Sequence, residues 1–101
     1  MNWDLQSDDL HRDNRGKIRV KPTIDIDEDS DLSTAYTPGV ASPTRRIADD
    51  PSEAYTYTSK ERNVAIVTNG TAVLGLGDVG ATASISVMEG KAAIFKRFAE
   101  I

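Results

Sequence analysis

Val64-Ala65-Ile66-Val67-Thr68-Asn69-Gly70-Thr71-Ala72-Val73-Leu74-Gly75-Leu76-Gly77-Asp78-Val79-Gly80 is the stretch on which the fold turns. Val64–Val67 is rich in β-branched side chains and reads as a strand. Asn69-Gly70 is the dipeptide that closes two-residue hairpins, because both central positions of that turn need a positive φ. Ala72-Val73-Leu74 then reads as the returning strand. The expected fold class is therefore α+β: a small helical module around a short antiparallel hairpin.

The flanks supply the helices. From about Ala81 to Phe98, the residues Val87, Met88, Lys91, Ile94, Phe95 and Phe98 recur at helical spacing and predict the longest helix. Upstream, residues 4–13 predict a short surface helix with Asp4 as cap and Gly16 beyond its end. Lys17-Ile18-Arg19-Val20-Lys21 alternates like a half-buried strand that stops at Pro22. Residues 25–31 are an acidic run and read as a solvated linker. They lack the glycine and the final glutamate of a calcium loop.

Asp31 can cap one turn through Tyr36, which Pro38-Gly39 ends. Ser42-Pro43 reads as a cap followed by proline at the first helical position, opening a helix to about Asp49. Asp50-Pro51-Ser52-Glu53 has the spacing of a capping box ahead of Ala54 and Tyr55. The predicted organisation is an N-terminal arm, residues 1–30, and a denser module, residues 31–101. Six of the 22 Leu, Ile, Val and Phe residues fall in the first 31 positions, so the later region must build the core.

Composition removes several chemistries. A chain of 101 residues has room for one small domain. With no cysteine there is no disulfide, thiolate metal site or thiol nucleophile, and a single histidine, His11, would have to carry any imidazole chemistry. A net charge of −4 disfavours nucleic acid and anionic membrane as partners. No run of about 18 apolar residues could span a bilayer, and Met1-Asn2-Trp3-Asp4 does not begin a secretory signal. The expected location is the cytoplasm.

Three constellations could carry chemistry. Gly75-Leu76-Gly77-Asp78-Val79-Gly80 is a literal G-x-G-x-x-G. In a dinucleotide fold such glycines admit a pyrophosphate at a helix N-terminus. Here the preceding strand is the second arm of a predicted hairpin and no parallel partner follows, so a plain glycine-rich turn is the competing reading. Lys91 interrupts the apolar stripe of the last helix. On an inner face a lysine loses its solvation, which favours the neutral amine and makes it a candidate base. The alternative is a stem lying along the core with its head in water. Tyr36, held before Pro38-Gly39, is a candidate proton donor or a packed aromatic.

Together these segments resemble the N-terminal part of the malic enzyme family, of the short prokaryotic type. Asp31-Leu32-Ser33-Thr34-Ala35-Tyr36-Thr37-Pro38-Gly39-Val40-Ala41 looks like the family's tyrosine motif. Thr68 to Gly77 resembles its hairpin and glycine turn, and Val87-Met88-Glu89-Gly90-Lys91-Ala92 resembles its lysine motif. His11-Arg12, followed by Gly16-Lys17-Ile18, is similar to the family's opening. Asn69, Ser86 and Thr44 stand where the family commonly has Asp, Pro and Cys.

The resemblance implies oxidative decarboxylation of L-malate to pyruvate and CO₂, with NAD or NADP and a divalent metal (Mg or Mn). It implies Lys91 as general base and Tyr36 as general acid. It also implies that the residues binding metal and nucleotide lie elsewhere, so that the chain is a truncated domain without independent catalysis. The glycine turn then belongs to the substrate side. The expected partners are L-malate and pyruvate, with a second copy in a homodimer or a complementing C-terminal part. The alternative is a non-catalytic paralogue used for dimerisation or regulation.

Overall fold

The computed structural model describes residues 2–101. Five helices form: α1 (Trp3–Asn14), α2 (Asp29–Ala35), α3 (Ala41–Asp49), α4 (Ala54–Tyr57) and α5 (Gly80–Ala99). Short 3₁₀ turns at Pro51–Glu53 and Ser59–Arg62 flank α4. Two compact units result. One joins the residues up to Arg19 with Val64–Ile101, and the other is Val20–Asn63.

The expected α+β class is overturned. Among the described residues there is no strand, only an isolated bridge between Val73 and Gly77. The reason lies in the hydrogen bonds of the segment that promised a hairpin. Asn69 Oδ1 accepts from the Thr71 amide at 3.1 Å and the Thr71 hydroxyl at 2.8 Å, which closes a side-chain turn. The Gly70 carbonyl accepts from the amides of Val79 at 3.0 Å and Gly80 at 3.2 Å. A hairpin would have aimed these groups across a ladder.

Val73 turns on itself as well. Its amide donates to the Gly77 carbonyl, and its carbonyl accepts from the Leu76 and Gly77 amides. Val64–Val67 is left without a partner strand. Lys17–Lys21, also expected as a strand, is irregular.

Gly70 has φ +73°. A Cβ there would overlap the Gly80 carbonyl, so the position needs glycine for close approach as well as for its backbone angle. The dipeptide that predicted a hairpin is used to seat the start of α5.

The helices follow their sequence signals closely. Asn2, rather than Asp4, caps α1: its side chain accepts from the Asp4 and Leu5 amides. The helix ends in a Schellman arrangement, with Gly16 N–H on the His11 carbonyl and Arg15 N–H on the Arg12 carbonyl. Helix α2 starts two residues before Asp31, and Asp31 Oδ2 reaches back to the amides of Asp27 and Glu28.

Helix α3 begins at Ala41, ahead of Ser42-Pro43. Pro43 is tolerated in its first turn because amides there have no partner within the helix. Asp50 caps the following turn as its spacing predicts, accepting from the Ser52 amide at 3.1 Å and hydroxyl at 2.7 Å.

Burial is slight. Val73 (7% exposed) and Ser84 (1%) are the buried side chains among those described. No helix of the described residues is long and apolar enough to cross a membrane.

Candidate functional site

Tyr36 and Lys91 lie in different compact units. Tyr36 follows the last residue of α2. Its amide donates to the Leu32 carbonyl at 2.8 Å, and its carbonyl accepts from the Val40 amide at 2.7 Å. The Gly39 amide donates to the Ser33 carbonyl at 2.8 Å. A Cβ on Gly39 would come within 2.7 Å of that carbonyl oxygen. Ala35-Tyr36-Thr37-Pro38-Gly39 therefore wraps tightly over the end of α2. The backbone of Tyr36 is fixed on both sides while its phenol is 65% exposed. No packed environment surrounds the ring among the described residues.

Lys91 sits in the middle of α5 and is exposed. Its stripe is exposed too: Val87, Ile94, Phe95 and Phe98 all present apolar surface. Desolvation of the amine, expected from the stripe pattern, is not supplied by the residues described. The stripe itself is helical, as predicted.

Beside the stripe, and sharing Met88 with it, an open apolar groove of about 580 Å³ is lined by Ile18, Val64, Ile66, Ile85, Met88 and Ala92, among others. Its lining contains no lysine or arginine, so it lacks the cations that would recognise a dicarboxylate.

Lys17 joins the opening segment to α5. Its amide donates to Glu89 Oε2 at 2.7 Å, and its ammonium donates to the Ser86 carbonyl at 2.6 Å. Sequence reasoning singled out neither Lys17 nor Glu89 for a role. No local pattern marks Glu89 as the partner of an amide 72 positions away.

Neither the metal nor the nucleotide implied by the sequence resemblance fits the described residues. They contain no group of three His, Cys, Asp or Glu side chains able to hold a cation. At the glycine turn, the Gly80 amide already donates to the Gly70 carbonyl and to Asp78 Oδ1. The Asp78 carboxylate thus occupies the helix terminus that a pyrophosphate would need. The second reading of the G-x-G-x-x-G, a glycine-rich turn, is the one the geometry supports.

A family model described as the malic enzyme N-terminal domain matches residues 15–101. The chain belongs to that family. It is 54% identical over 94 residues to the NADP-dependent malic enzyme of Rhizobium meliloti, covering 92% of this chain and 12% of that protein. It is 50% identical over 92 residues to the bifunctional malic/malolactic enzyme of Bacillus subtilis, covering 91% of this chain and 22% of that protein.

Among solved structures, the NAD-dependent malic enzyme of Thermotoga maritima superposes with a TM-score of 0.87 at 47% identity. That match covers 92% of this chain and 25% of the Thermotoga chain. The chain thus spans a quarter or less of the length of these relatives.

Proposed function

We propose that this chain is the substrate-side part of a malic enzyme, converting L-malate to pyruvate and CO₂ in the cytoplasm. The observation that carries the reading is the family match over residues 15–101, which contains both the Tyr36 and the Lys91 motifs in order.

The described residues include no group of three His, Cys, Asp or Glu side chains able to hold a cation, so in this reading residues outside them would hold the metal and the nucleotide that accepts hydride. This chain's own part is proton traffic. The Lys91 amine takes the proton of the malate C2 hydroxyl as that carbon is oxidised to a ketone. Loss of the C4 carboxylate as CO₂ then leaves the enolate of pyruvate. The Tyr36 hydroxyl donates its proton to C3, and exchange with water restores the phenol and the Lys91 amine. The two transfers cancel, so the residues end as they began.

The exposed stripe around Lys91 supports a site finished by further polypeptide, because covering it would also exclude water from the amine. The same surface supports self-association of the chain as a dimer.

A graft tests the reading. This chain replaces the 94-residue segment it matches in the Rhizobium meliloti NADP-dependent enzyme. The graft is expected to reduce NADP with malate in the presence of Mg²⁺ or Mn²⁺. Lys91→Ala in the graft is expected to abolish that turnover. Substantial residual activity would sink the role given to Lys91.

A further inference from the structure

Two sequence motifs that lie far apart in the chain meet in the structure. Gly16-Lys17-Ile18 and Val87-Met88-Glu89-Gly90-Lys91 are joined through Lys17. Among the described residues, the two side-chain hydrogen bonds that reach beyond four positions are both made here, across 72 and 69 positions.

The fit is close on both sides. A Cβ on Gly16 would come within 2.7 Å of Glu89 Oε2 and 3.3 Å of Oε1, and Gly16 has φ +100°. Only glycine lets the backbone meet the carboxylate in that conformation. The Lys17 stem lies over Gly90: a Cβ there would meet its Cε and Nζ at 3.8 Å.

Helix α5 is therefore held at two places. The Gly70 carbonyl takes the amides of Val79 and Gly80 at its start. Lys17 holds Ser86 and Glu89, about 9 to 14 Å further along at 1.5 Å per residue. A rod held at one point can swing, whereas two points fix its axis. Glu89 and Lys91 are two residues apart, about 200° around the helix. The anchored face and the face presenting Lys91 are thus opposite sides of one turn.

We propose that the Gly16-Lys17 to Glu89 clamp positions Lys91 for proton transfer, with Glu89 acting as a positioning residue. This rests on the base role given to Lys91 above. A carboxylate accepting a backbone amide over 2.7 Å is a short, charge-assisted bond, and it is made two residues from Lys91. Losing it frees the middle of α5 and misplaces the amine. Ground-state binding of malate is expected to change little, because Glu89 lies on the opposite side of the helix from Lys91.

The test uses the Rhizobium graft and four variants. Glu89→Ala removes the acceptor and is expected to lower kcat about 10- to 50-fold, with KM for malate within about threefold, the pattern of a misplaced catalytic group. Glu89→Gln keeps an oxygen acceptor for the Lys17 amide and is expected to stay within about threefold of the parent. Gly16→Ala drives a methyl into the carboxylate and is expected to behave like Glu89→Ala.

Amide exchange of Lys17 supplies a readout independent of turnover. It is expected to be slow in the parent and in Glu89→Gln, and fast in Glu89→Ala. Lys91→Ala separates the two proposals. If it abolishes turnover while Glu89→Ala keeps parental kcat, the clamp proposal is overturned and the base role stands. If Lys91→Ala remains active, the base role itself fails. Fast Lys17 exchange in the parent overturns the clamp whatever the kinetics.

Discussion

The two candidate side chains are held by different kinds of structure. Tyr36 belongs to Val20–Asn63, where every side-chain hydrogen bond described runs between residues no more than four apart. Lys91 belongs to the other unit, whose longest hydrogen bonds cross about seventy positions. The tyrosine is placed by a sequence of caps and turns, each nearly self-sufficient. The lysine is placed by a helix whose position depends on residues far away in the chain. Damage to the first region should stay local, whereas damage at a single anchor of the second should reach the Lys91 amine.

Substitutions in the graft put this contrast to use. The largest effect is expected from Lys91→Ala, a fall in kcat/KM of about a thousandfold or more, the upper range for loss of a general base. Tyr36→Phe keeps the ring and removes the proton donor. It is expected to lower kcat about a hundredfold while CO₂ release runs ahead of pyruvate formation, and quantifying both products over time checks it.

Gly70→Ala comes next. A Cβ would overlap the Gly80 carbonyl at a positive φ, and a loss of ~3 kcal/mol is expected in urea unfolding. Turnover should fall with it, because the start of α5 is displaced. Asp50→Ala removes a cap and should cost about 1 kcal/mol, with kcat unchanged. If Asp50→Ala reduced turnover as much as Gly70→Ala, the contrast between local and distant support would fail.

The same contrast explains what could be read in the sequence. Helix α5, the cap at Asp50 and the turn after Tyr36 were legible because each depends on residues within a few positions. The errors fell where the decisive partner was distant or had an equivalent nearby. Asn69-Gly70 carries a hairpin signal, yet Gly70 is glycine because Gly80 lies against it. Asn2 and Asp4 could each have capped α1, and the choice moved the boundary by one residue. Lys17–Lys21 alternates like a strand, but it has no strand to pair with.

The site shows the same division. Tyr36 and Lys91 were legible as candidates from motif and stripe. The Lys17–Glu89 bond was not, since nothing local marks Glu89 as the acceptor for an amide 72 positions away.

The most deeply buried side chain described is Ser84, on α5, whose hydroxyl donates to the Ala81 carbonyl at 2.7 Å. Cysteine is nearly the same size, and the chain has none of its own. Ser84→Cys would therefore install a single thiol in a closed position, silent to alkylating reagents until the helix lifts. Its labelling rate would time the opening of the lysine-bearing helix directly, turning a packing detail into a clock.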